Sequence, residues 1–109
     1  MPLQEMIDNV VATWPFDKKN YKDWYEFWPQ DRKMIYALKH ILLHQQKALA
    51  AIAEVAEKFD HKGGLSPEDE AQIIIAIRKM MLNSLRMVDI AGEQGASLEW
   101  WLSHPQSPL

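Results

Sequence analysis

The stretch His61-Lys62-Gly63-Gly64-Leu65-Ser66-Pro67-Glu68-Asp69-Glu70 decides how this chain folds. Two adjacent glycines supply the backbone freedom that ends one helix and turns the chain. Ser66 reads as an N-cap, and Pro67 takes the first helical position, where a missing N–H is no loss. The three acids that follow suit the positive end of a helix dipole. One helix therefore ends near Asp60 and another begins at Pro67. A link this short makes the two antiparallel neighbours.

Upstream of the break, a helix is expected over about 30–60, roughly 45 Å long at 1.5 Å per residue. Met34, Ile35, Leu38, Ile41, Leu42, Ala48, Leu49, Ile52, Ala53, Val55, Ala56 and Phe59 fill an arc of about 160° on it. Lys39, Lys47, Glu54, Glu57 and Lys58 fall outside the arc. Downstream, a helix over 67–91 is stopped by Gly92, and Ile73, Ile74, Ile77, Met80, Met81, Leu85, Met87 and Val88 share one broad face. With the turn near Gly64, Ile52 comes level with Ile77, Leu42 with Met87, and Gln45 with Ser84. Gln45 and Ser84 each interrupt an apolar stripe, and a buried amide must be hydrogen-bonded. They are candidates for one polar layer that sets the register.

Shorter helices flank this hairpin. Leu3, Met6, Ile7, Val10, Val11 and Trp14 form a stripe that Pro15 terminates. Asp17 then caps a helix carrying Tyr21, Trp24, Tyr25 and Trp28, closed by Pro29. A last helix is expected from a Ser97 cap through Leu98, Trp100, Trp101 and Leu102, followed by a loose tail over 104–109. The reading is a single all-α domain over 1–109: a long antiparallel helical hairpin (about 30–60 and 67–91) crossed by short aromatic-rich helices. No internal repeat or strand pattern appears.

Composition narrows the function classes. The chain has 109 residues, 48% hydrophobic and 25% charged, which fits one globular domain. With no cysteine there is no disulfide, thiolate nucleophile or Cys-based zinc site. The N-terminus lacks the basic and apolar regions of a signal peptide, and no run reaches about 18 apolar residues. A cytoplasmic location is the resulting expectation.

Catalytic patterns are missing as well. Gly63-Gly64 has no phosphate-loop context, Ser66 and Ser97 are accounted for as caps, and no Glu-x-x-His pair suggests a di-iron bundle. His40 and His44, at i and i+4, are the one pair able to share a metal, though they lack a third ligand in sequence. No cofactor is expected. A nucleic-acid alternative rests on residues 18–47, where Lys18, Lys19, Lys22, Arg32, Lys33, Lys39 and Lys47 outnumber Asp23, Glu26 and Asp31 among aromatics. The overall charge of −3 argues against it.

What remains is surplus apolar surface. Ile75, Leu82 and Ile90 lie off the main stripe of their helix and are candidates for self-association in a helical-bundle homodimer. Five tryptophans stand out, at positions 14, 24, 28, 100 and 101. Trp14, Trp24 and Trp28 sit at periodic core positions. Trp100 and Trp101 are adjacent and point about 100° apart, so with Leu98 they are candidates for a partner-binding patch. The expected role is a non-enzymatic interaction module (an adaptor, assembly factor or regulator of a larger machine) with a protein partner and no membrane.

Overall fold

The computed structural model describes residues 2–15 and 27–106. Four helices follow in order: α1 (Leu3–Thr13), α2 (Gln30–Lys62), α3 (Pro67–Ala91) and α4 (Gly95–Ser103). No strand occurs among the described residues. The aromatic helix expected from Asp17 through Tyr21, Trp24 and Tyr25 lies outside them.

Between α2 and α3, Gly63 and Gly64 take φ of 67° and 89°, a region that residues with a Cβ avoid. The Ser66 hydroxyl accepts from the Asp69 amide, and the Asp69 carboxylate accepts from the Ser66 amide, both at 3.1 Å. This reciprocal capping box satisfies two amides at once. The other Asp69 oxygen accepts from Lys58 Nζ at 2.9 Å, so the cap of α3 is also tied to the end of α2. At the far end Gly92 adopts φ 81°, and the Gly92 and Glu93 amides return to the carbonyls of Asp89 and Val88. That is the Schellman arrangement.

Cross-links between α2 and α3 run in opposite senses along the two helices. Lys58 meets Asp69, the Ala51 carbonyl accepts from Gln72, and Gln45 reaches Met80. The helices are therefore antiparallel. Apart from Ile41 and Val55 their buried positions are small or polar: Ala37, Ile41, Ala48 and Val55 on α2, and Asp69, Ala76 and Asn83 on α3. Small side chains bring the axes close, and each helix then reaches the other's backbone through a glutamine. Gln45 Nε2 donates to the Met80 carbonyl at 3.1 Å, and Gln72 Nε2 to the Ala51 carbonyl at 2.9 Å.

This seam corrects the expected core. Leu42, Leu49, Ala56 and Phe59 of the α2 arc, and Ile74, Ile77 and Met81 of the α3 face, are all exposed. The physical reason is packing distance. Alanine positions set the approach of the axes, and the bulkier residues beside them are splayed outward.

Helix α1 packs against α3 and α4. It buries Ile7 and Val10, and its first amide, that of Leu3, donates to the Glu99 carboxylate of α4. Helix α4 starts three residues earlier than expected: its N-cap is Gln94, and Ser97 lies inside the helix rather than capping it. The Gly95 amide donates to Gln4 Oε1, which anchors the helix start there. A Cβ on Gly95 would fall 2.5 Å from the Gln4 backbone nitrogen, so only glycine permits this approach.

The radius of gyration is 17.2 Å and the longest dimension 52 Å. A compact domain of this length is expected near 13 Å. Ile7 and Ile41 are the only large side chains among the described residues with essentially no exposure. Among the described residues the core is thin.

Candidate interaction surface

Two sides of the α2–α3 pair differ in chemistry. On α2, Ile35, Leu42, Leu49 and Ala56 stand about 100° round the helix from the buried seam. On α3, Ile74, Ile77 and Met81 stand about 130° round in the same sense. Because the helices run oppositely, rotations of one sense bring both sets to the same side of the pair. Ile35, Leu42, Leu49, Ile74, Ile77 and Met81 are all at least 42% exposed there, with Met81 at 65%. Leu38, Ile52, Ile73 and Met80 lie half-buried between these rows and the seam. The result is one continuous apolar face along both helices.

Gln45 and Ser84 occupy the edge between this face and the seam. Gln45 Nε2 donates to Ser84 Oγ at 3.2 Å as well as to the Met80 carbonyl, and Gln45 Oε1 accepts from Asn83 Nδ2 at 3.1 Å. Ser84 in turn donates to the Met80 carbonyl at 2.9 Å. Asn83, which the sequence reading passed over, is the most buried member of the group. An asparagine seven residues after the buried Ala76 was the available signal.

The opposite side carries α1 and an open groove of about 760 Å³. Ile75 and Leu82 line it from α3, Trp14 from the end of α1, and Lys47, Lys79 and Arg86 supply its cations. Leu82 and Ile90 are half-buried and Ile75 is half-exposed. The three candidates for self-association thus lie away from the apolar face, two of them partly covered. Trp14 is 49% exposed rather than core, because α1 ends at Thr13 and leaves it beyond the last helical turn.

On α4, Trp100 is 54% exposed and Trp101 37%, while Leu98 is half-buried. Trp100 stacks on the His104 ring at 4.3 Å, and His104 Nδ1 donates to the Trp100 carbonyl at 2.8 Å. His104, assigned to the tail from sequence, is therefore engaged with the helix. Residues 107–109 lie outside the described residues.

His40 and His44 face one another with Nε2 atoms 3.3 Å apart. A hydrogen bond between them needs an N–H on one ring and a lone pair on the other. Partial burial first, and then the positive charges of His40, Arg86 and Lys47, hold the His44 pKa below its ordinary value. Among the described residues no group of three His, Asp or Glu side chains is placed to hold a metal ion. Burial likewise lowers the Arg86 pKa.

Of the basic region, Lys18, Lys19 and Lys22 lie outside the described residues. Arg32 lies over the Trp28 ring at 4.1 Å, and Trp28 meets Tyr36 edge-on at 5.1 Å. No helix among the described residues is long and apolar enough to cross a membrane. No protein-family profile matches the chain, nor does any curated protein or solved structure.

Proposed function

We propose that this protein is a non-enzymatic interaction module, an adaptor, assembly factor or regulator, whose long helical hairpin works as a homodimer. One observation carries the reading: the apolar face shared by Ile35, Leu42, Leu49, Ile74, Ile77 and Met81, on a chain whose own core is thin. Isolated exposed apolar residues are ordinary, but a contiguous face of this size marks an interface. At 1.5 Å per residue the row from Ile35 to Phe59 on α2 is about 36 Å long, and the row from Ile74 to Met81 beside it on α3 about 10 Å.

In this reading the hairpin pair is the scaffold, and Trp100, Trp101 and Leu98 remain available to a further protein partner. Light scattering on the purified chain tests it, with a dimer as the expected result. Leu49→Lys and Met81→Lys shift the protein to monomer while leaving it helical by circular dichroism. A wild-type chain that stays monomeric at tens of micromolar overturns the proposal.

A further inference from the structure

The apolar face has an internal symmetry. Along α2 its residues are Ile35, Leu38, Leu42, Gln45, Leu49, Ile52, Ala56 and Phe59, alternating three- and four-residue steps. The a/d heptad spacing is unbroken, with the polar Gln45 at one of its positions. Reversed on itself, the row superimposes: Ile35 falls opposite Phe59, Leu38 opposite Ala56, Leu42 opposite Ile52, and Gln45 opposite Leu49. Every pair joins an a position to a d position, and large residues meet smaller ones at the ends. All the pairs are centred on Lys47. Any register displaced by a heptad leaves a layer unpaired at each end.

Helix α3 repeats the pattern independently. Ile77 falls opposite Met81, Ile74 opposite Ser84, and Glu70 opposite Val88, centred on Lys79. A heptad row reverses onto itself about a centre at every half heptad, and Lys47 and Lys79 are the mid-points of the two rows named. They lie at one level of the hairpin, since Lys47 and Lys79 line the same groove and Gln45 bonds to the Met80 carbonyl.

We infer that two copies pair face to face about a two-fold axis crossing the hairpin at the level of Lys47 and Lys79, with α2 antiparallel to α2 of the second copy and α3 antiparallel to its own copy. This rests on the homodimer reading above and adds its geometry. Charge supports the orientation. Arg32 and Lys39, offset in part by Asp31, flank the N-terminal half of the α2 row, and Glu57 and Asp60 flank the C-terminal half, all exposed. Antiparallel copies bring Arg32 toward Asp60 and Lys39 toward Glu57, whereas parallel copies oppose like charges. Rim pairs add little energy but discriminate between orientations. Arg78 comes near its own copy on the outer rim of α3, a like-charge approach that salt screens.

The chain has no cysteine, so single-site labelling needs no background changes. Gln46→Cys, Ala53→Cys and Asp60→Cys are exposed, successive by one heptad and on one side of α2. Each is spin-labelled, checked by light scattering and measured by dipolar electron paramagnetic resonance. In the antiparallel dimer the two labels are offset along the helix axis by about 3 Å at position 46, about 18 Å at position 53 and about 39 Å at position 60. Equal separations at all three sites in a protein that is still dimeric overturn the two-fold geometry and leave the homodimer standing. Absence of any dipolar signal in a monomeric protein overturns both.

Discussion

At the scale of single residues, polar groups set the register of a seam that apolar burial alone leaves loose. Asp69 accepts from the Ser66 amide and from Lys58, and these bonds, that of Lys58 foremost, hold its carboxyl below the usual carboxylate range. A carboxylate with a depressed folded pKa stabilises above its unfolded pKa, and that contribution fades as pH falls through the folded value. Asp69→Asn is therefore expected to be less stable than wild type near pH 7 in urea titrations. The gap should close as the solution is acidified below the normal carboxylate range. Ser66→Ala, which removes the hydroxyl half of the same box, should lose about 1 kcal/mol. Gln45→Ala strands the buried Asn83 amide, for which a loss of about 1–3 kcal/mol is expected. Gln45→Leu combined with Asn83→Leu should recover much of that stability, since no polar group is then left unpaired. An unrecovered double variant would show that the amide network does more than satisfy itself.

At the scale of elements, what was readable in sequence was punctuation. Gly63-Gly64, the Ser66-Pro67 start and the Gly92 stop each need a residue type that only one backbone conformation rewards, so both ends of α3 were legible. The direction each helix faces was not. Its apolar arc is wide enough to serve two surfaces, and hydrophobicity does not say which side meets the neighbouring helix. Alanine decides it here: Ala37, Ala48 and Ala76 are buried while Leu42, Leu49 and Ile77 are exposed. A hydrophobic scale ranks these in the opposite order. The start of α4 was misplaced for a related reason, because Gly95 is required by contact with Gln4, ninety-one positions away in the chain. Gly95→Ala should displace α4 from α1 while leaving the α2–α3 pair intact. Hydrogen exchange should then rise over residues 3–13 and 95–103 alone. Protection lost equally from α2 and α3 would show that all four helices form one cooperative unit.

For the whole molecule, an elongated chain with a thin core should draw part of its stability from association. The midpoint of thermal unfolding is expected to rise with protein concentration, because binding of native chains shifts the unfolding equilibrium by mass action. Leu49→Lys should remove that dependence, and a midpoint independent of concentration in the wild type would count against association. The ties between Leu3 and Glu99 and between Gln4 and Gly95 span almost the full chain. By contrast, the seam between α2 and α3 grows outward from a short turn. Closing long loops is slow compared with zipping a local pair. Helix α1 is thus expected to arrive last during refolding and to leave first under mild denaturant, uncovering Leu82 before the rest of the molecule has loosened.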